Sequence, residues 1–291
     1  MIVVTGSLNM DFVVRVRRLP APGETVLGSD FRMIPGGKGA NQACAAGKLA
    51  AGRTRVRMVG RVGYDPFADH LKASLAAAGV EVAAVHASRD HATGVAFIGV
   101  DDSGQNSIIV ASGANLALSV DDIHNVRETF AGATVALFQL ETPLATVAEA
   151  LRVAKAAGAI TILDPAPARP LDKELLELVD ILTPNENEAT VVGRGAHATI
   201  FKLGERGCRY EAHEGTIESP GFKVEAVDTT AAGDTFNGAL AVALAERQPL
   251  EQALRFANAA AALSVTRAGA QASIPTRAET EKFTIDGILA T

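Results

Sequence analysis

The chain has 291 residues and a mass of 30.1 kDa, about twice a common single-domain size, so one large or two modest domains are expected. Hydrophobic residues make up 48% and charged ones 21%, which excludes a disordered chain and leaves ample material for a core. A net charge of −6, no tryptophan and 4% aromatic residues offer nucleic acid neither a basic face nor a stacking surface, so no nucleic-acid partner is expected.

In chain order, short apolar runs predict strands at 2–6, 56–62, 134–140, 159–163, 181–183 and 199–203. Ala-rich helical stretches lie between them at 39–51, 66–78, 143–157 and 173–179. This alternation predicts an α/β fold with a largely parallel central sheet covered by helices on both faces. After Cys208 the pattern becomes a short β region and three helices, at 233–246, 250–267 and from Thr276. Residues 12–35 and 93–113 break the rhythm and read as turn-linked strands. They are expected to form a small antiparallel sheet projecting from the body, either a lid or a plain edge hairpin pair.

The N-terminus lacks a basic n-region and meets Asp11 too early for a signal peptide. The Ala-rich C-terminal part is cut by Glu246, Arg247, Arg255 and Arg267 before about 18 apolar residues accumulate. A soluble, cytoplasmic protein without a membrane partner is therefore expected, with Cys44 and Cys208 as buried thiols. The six histidines show no metal-ligand spacing. GRGAHA at 193–198 matches a dinucleotide-loop pattern but leads into a strand, the wrong context for that loop. Gly47-Lys48 lacks the flanking residues of a Walker A loop.

In an α/β sheet, ligands bind beyond the carboxyl ends of the strands. GGKGAN at 36–41 lets backbone approach a ligand closely at a helix start, and Lys38 and Asn41 suit a polyhydroxylated or anionic one. DTTAAGDTFNG at 228–238 puts unbulky Ala231, Ala232 and Gly233 at a helix start, an anion site by its amides and dipole. Asp234 there is either an N-cap or a general base for a hydroxyl attacking a phosphate. Asn185 and Glu188, three apart, either open a helix in solvent or hold Mg²⁺ through its waters. Glu141 and Asp11 follow strands where carboxylates could accept bonds from sugar hydroxyls, or where either is simply a surface-loop acid.

Taken together, these segments resemble the PfkB carbohydrate kinase family and, within it, the ribokinases. The resemblance is carried by GSLNMD at 6–11, GGKGAN at 36–41, QLE at 139–141 and DPAPAR at 164–169. It continues through TPNENE at 183–188, DTTAAGDTFNG at 228–238 and VTRAGAQASIP at 265–275. It implies a ribokinase-like single domain over 1–291, with a lid from about 12–35 and 93–113, and ATP-dependent phosphorylation of the D-ribose 5-hydroxyl. Other PfkB activities (on deoxyribose, fructose, a keto-deoxy sugar acid or a nucleoside) and a non-catalytic binder are the alternatives. By the same resemblance, Asp234 is the base and Ala231, Ala232 and Gly233 form the anion hole. Asn9, Asp11, Gly37, Lys38, Asn41 and Glu141, with Asp234, hold the sugar. Asn185 reaches the nucleotide phosphates and Glu188 orders the Mg²⁺ shell. Lys202, Gly204, Glu205, Gly207 and Asn258, with Gly233, line the ATP site. Asp228, Thr230, Ser264, Arg267, Gly269 and Ser273 surround an activating K⁺, and two lids clasp in a homodimer.

Two departures stand out. The family usually carries a full helix between TPNENE and the strand entering the nucleotide loop, where only about ten residues, 189–198, lie here. A parallel crossover commonly takes a dozen or more, so either this one is nearly bare or one strand is rearranged. At 202 a lysine stands where threonine is common next to the nucleotide, so it either bonds a phosphate or clashes.

Overall fold

The computed structural model describes residues 1–193 and 195–289; Arg194, inside the short crossover, lies outside the described residues. The first strand, β1 (Ile2–Thr5), is buried along its whole length, as a continuous apolar run in a two-faced sheet should be. Ile2 and Val4 join one core and Val3 the other, so the two-residue period assigns side chains to opposite faces.

The chain then leaves the body as β2 (Asn9–Val16) and β3 (Gly28–Gly36) and returns as helix α1 (Lys38–Ala50). Next come β4 (Val56–Gly63), α2 (Pro66–Ala77) and β5 (Val80–Ser88), the last an edge strand not expected from sequence. Asp65 caps α2 through the Ala68 amide, with Pro66 preset for the first helical position. A second excursion, β6 (Gly94–Val100) and β7 (Asn106–Ala111), precedes α3 (Val120–Asn125), β8 (Val135–Phe138) and α4 (Leu144–Ala156). Then follow β9 (Ile160–Leu163), α5 (Lys173–Leu176), β10 (Ile181–Leu182) and the single turn α6 (Glu186–Ala189). The chain closes with β11 (Ala198–Lys202), β12 (Cys208–Ala212), β13 (Gly215–Ser219), α7 (Ala232–Ala245), α8 (Leu250–Ser264) and α9 (Arg277–Leu289).

The main nine-stranded sheet runs β13-β12-β11-β10-β9-β8-β1-β4-β5. It is parallel from β11 through β5, and β12 runs antiparallel to both of its neighbours, β11 and β13. One face packs α1, α2, α7 and α8; the other packs α3, α4 and α5. The strand order reverses between β1 and β8, which opens a crevice beyond their carboxyl ends. The nine strands and flanking helices are the predicted ribokinase-like arrangement.

The projecting sheet is ordered β3-β2-β6-β7, but it is not wholly antiparallel as expected. Its central strands β2 and β6 pair in parallel from Asn9↔Gly94 to Arg15↔Val100. Both leave the body at the carboxyl ends of parallel strands, so they set out in the same direction. It also begins at Asn9 rather than residue 12.

The short crossover is nearly bare and leaves the strands in place: β10 and β11 pair in parallel, Ile181↔Ala198 and Leu182↔Thr199. Val192, 1% exposed, stands in for a packing helix. A groove of about 470 Å³ beside it is lined by Leu182, His197, Thr199 and Phe201. Cys44 and Cys208 are free and buried. Among the described residues, no helix is long and apolar enough to cross a membrane.

Candidate active site

The crevice between β1 and β8 is closed by hydrogen bonds between their following loops. Glu141, beyond β8, accepts the Ser7 hydroxyl at 2.5 Å and the Lys38 amide at 3.1 Å through the same oxygen. Gly37, just before α1, has φ 87°, and a Cβ there would collide with the backbone of Leu8 and Asn9. Only glycine fits this left-handed turn at the start of α1. Asn9 and Asp11 reach the same place from the root of the projecting sheet, where Asn9 pairs with Gly36. Asn115, buried after β7, fixes that root by donating to the Leu8 carbonyl and to Asn9 Oδ1 at 2.7 Å.

The charges here are tightly coupled. Burial, and then the Glu141 charge, push the Asp11 carboxyl up to about 7. Burial opposes the Lys38 ammonium, but the carboxylates of Asp234, Asp164, Glu141 and Glu188 outweigh it and raise its pKa. Lys38 is therefore a permanent cation in a field of acids.

Asp234 occupies the first turn of α7, yet it does not cap the helix. Ala231 is the capping residue, in a left-handed conformation (φ 60°, ψ 14°), with no side-chain cap. Such a backbone in a non-glycine residue costs about 1–3 kcal/mol. Asp234 instead turns inward, 5% exposed, and accepts Asn41 Nδ2 and Gln42 Nε2, each at 3.1 Å. Burial raises its pKa; Lys38 opposes that rise, Asp164 adds to it, and the Gln42 and Asn41 donors oppose it. The amides ahead of the first Thr235–Ala231 bond carry the positive end of the helix dipole. Of the three expected anion-hole residues, Ala232 turns its amide to the Thr229 carbonyl at 3.3 Å.

On the far side of Gly233 a cavity of about 760 Å³ opens between the β11–β12 loop and α8. Lys202, Gly204, Glu205, Gly207, Gly233 and Asn258 all line it, with Phe222 and Val265 supplying apolar wall. Asn258 also donates to the Ser219 carbonyl at 3.0 Å, which ties α8 to the end of β13. Lys202 neither projects freely nor clashes: it pairs with Asp164 at 2.7 Å.

Asn185 and Glu188 form a reciprocal capping box on α6, each side chain bonded to the other's backbone amide at 2.8 Å. The helix-start reading thus accounts for one oxygen of each, and the second Glu188 oxygen remains available to a ligand. Among the described residues, no cluster of three or more His, Cys, Asp or Glu could hold a metal ion. A lone carboxylate of this kind suits Mg²⁺ held mainly by water and phosphates.

Asp228 clips two loops together, accepting the Thr230 amide at 2.9 Å and the Gly269 amide at 2.8 Å. Burial opposes its charge, but these bonds hold its carboxyl below the usual range. Ser264 and Ser273 spend their hydroxyls on the Ala261 and Ala270 carbonyls, and Arg267 pairs with Glu279. Arg267 could meet a cation only through its backbone carbonyl, whereas Ser264 and Ser273 offer carbonyl oxygens and the remaining lone pairs of their hydroxyls, an oxygen set that fits K⁺.

Sequence reasoning gave no role to Gln42, Asp164, Ser7, Asn115, Gln139 or Gln271. Gln42 donates to Asp164 and Asp234 together and accepts from Gln139 at 2.7 Å, while Gln271 donates to Asn41 at 3.3 Å. A signal was present for Gln42, which follows Asn41 at the start of a buried helix, and for Gln271, which lies within VTRAGAQASIP; Asn115 carried none, because its partners lie far away in the chain.

The family model for pfkB family carbohydrate kinases matches residues 1–277. A ribokinase of Bacillus subtilis is 43% identical over 292 residues, covering 97% of this chain and 98% of its own. The solved ribokinase of Thermotoga maritima superposes with a TM-score of 0.89 at 39% identity, covering 97% and 98% of the two chains. The Arabidopsis thaliana ribokinase, solved with ribose and ATP, gives 0.87 at 35% identity with the same coverage. With its switch-point crevice, inward carboxylate and full-length match, the chain belongs to the pfkB family of carbohydrate kinases.

Proposed function

We infer that this chain is an ATP-dependent ribokinase, one catalytic unit with an inserted lid, that converts D-ribose and ATP to D-ribose 5-phosphate and ADP. Asp234 carries the reading: a buried carboxylate stands between sugar-suited side chains and an anion-ready helix start that opens on a nucleotide-sized cavity. The identity to proteins named ribokinase, and the likeness to one solved with ribose and ATP, narrow the substrate.

Asn9, Asp11, Gly37, Lys38, Asn41 and Glu141 hold the sugar so that its 5-hydroxyl faces Asp234. Asp234 takes the hydroxyl proton as the oxygen bonds to the terminal phosphorus. The bond from that phosphorus to the bridging oxygen breaks, and ADP leaves. The Ala231 and Gly233 amides, joined by Ala232 once its bond to the Thr229 carbonyl opens, and the dipole of α7 stabilise the transferring group, which suits a reaction driven by positioning and charge. The loop 202–207 and Asn258 line adenine and ribose, and Asn185 faces the phosphates. Glu188 would hold Mg²⁺ through water, and that ion supplies charge neutralisation of the polyphosphate. Asp228, Thr230, Ser264, Arg267, Gly269 and Ser273 would surround K⁺, which would fix the anion-hole loop through the Asp228 clip.

The lid face supports a homodimer. Phe31 is 56%, Phe97 53% and Ile109 69% exposed, an apolar patch on a thin sheet that a second lid would cover. Free buried thiols and ATP chemistry accord with a cytoplasmic setting.

The test is ADP release with Mg-ATP and D-ribose, with and without K⁺, against deoxyribose, fructose, a keto-deoxy sugar acid and nucleosides. Ribose-dependent, K⁺-stimulated turnover is expected. A different preferred acceptor would overturn the substrate, and silence with ribose still bound would overturn the kinase reading.

A further inference from the structure

Lys202 ends β11 and stands where the nucleotide-side cavity meets the base. Its Nζ donates to Asp164 Oδ1 at 2.7 Å, with side-chain exposures of 13% for the lysine and 2% for the aspartate. It also lies 3.3 Å from the point a Cβ on Gly233 would occupy, directly over the anion-hole loop. The other Asp164 oxygen accepts Gln42 Nε2 at 3.0 Å, the same nitrogen that donates to Asp234. Ammonium, Asp164, Gln42 and base thus form one chain of hydrogen bonds.

A buried ion pair of this kind is a weak stabiliser, because removing two charges from water offsets most of their attraction. Its position is more telling. An ammonium has three donors and Asp164 takes one, so the others are available toward the cavity that Lys202 lines. Negative charge spreads over the equatorial oxygens of a transferring phosphoryl group, and a preset cation stabilises it without reorganisation.

Building on the kinase reading, we propose that Lys202 is a further catalytic residue, donating to the transferring phosphoryl group while Asp164 positions its ammonium. Gln42 makes Asp164 and Asp234 share one donor, which keeps the cation and the base in register.

The test compares wild type, Lys202→Met, Asp164→Asn and the double variant. Lys202→Met leaves Asp164 buried and unpaired, so it loses thermal stability as well as rate. The double variant removes both charges and recovers the stability. We expect its kcat to remain about 100-fold low, the scale of one lost transition-state donor. We also expect Asp164→Asn, which keeps the cation but loosens its hold, to lose about tenfold in kcat. Calorimetry with ADP and with the β,γ-imido analogue of ATP supplies a second readout. Wild type should bind the triphosphate analogue more tightly than ADP, and the double variant should lose that preference while keeping its ADP affinity. A double variant with near-normal kcat and an intact preference overturns the proposal and makes the pair structural. If wild type releases no ADP with any sugar, the kinase reading fails instead, and the analogue preference still decides whether Lys202 meets a terminal phosphate.

Discussion

Replacing Asp234 with asparagine separates the base role from a merely structural one. The carboxylate receives Asn41 Nδ2 and Gln42 Nε2, one on each oxygen. Asparagine offers a single acceptor oxygen, and its amide nitrogen faces another donor. Neither neighbour can flip to compensate, since Asn41 Oδ1 already accepts Gln271 and Gln42 Oε1 already accepts Gln139. One buried donor is therefore stranded, at a cost of about 1–3 kcal/mol. Relief of repulsion from Asp164 returns part of this. For a chain of this size the melting temperature should fall by about 2–4 °C per kcal/mol. Loss of a general base should lower kcat by about 10²–10⁴, while ribose affinity measured by calorimetry changes little. The assays are ADP release, ribose titration and a thermal melt on the same preparation. A folded Asp234→Asn protein that turns over within tenfold of wild type refutes the assignment.

Asp11 sets a pH dependence. With its folded carboxyl raised to about 7, the free enzyme is increasingly protonated there below pH 7. If the ionised form accepts sugar hydroxyls, KM for ribose should rise as pH falls through 7, and Asp11→Asn should flatten that profile; a pH-independent wild-type KM refutes the role. The same raised value makes Asp11 stabilise the unliganded fold below the ordinary carboxylate pKa, a contribution lost as pH rises through 7. Asp228→Ala removes the clip between Thr230 and Gly269, so K⁺ stimulation should shrink severalfold in a cation titration, and an unchanged response counts against the site. Ile109→Asp on the exposed strand β7 should shift sedimentation from dimer to monomer, whereas an unaltered dimer places the interface elsewhere.

Much of this molecule was legible locally. Strands β1, β4, β8 and β9 are apolar runs bounded by turns, and α1, α2 and α4 begin and end within a residue or two of expectation. Burial on both faces needs continuous apolar strands, and each helix start carries its own chemistry, such as Asp65 before Pro66. The edge strand β5 escaped notice because its burial is mixed rather than regular, so neither period dominates. The parallel pairing of β2 with β6 was likewise hidden, since direction follows from where each strand leaves the body and not from its composition.

The chain by itself therefore determined the α/β class, the two glycine-bearing loops at helix starts, and residue types whose chemistry suits proton transfer and anion binding. Those are properties of short segments, set by periodicity, glycine and charge. Tertiary structure alone decided what each polar group faces. It turned Asp234 from a helix cap into a buried acceptor, because α1 lies opposite with Asn41 and Gln42. It joined Lys202 to Asp164 across 38 residues and Asn41 to Gln271 across 230. Partners so remote meet only when the tertiary fold brings their segments together, and no local pattern encodes that arrangement.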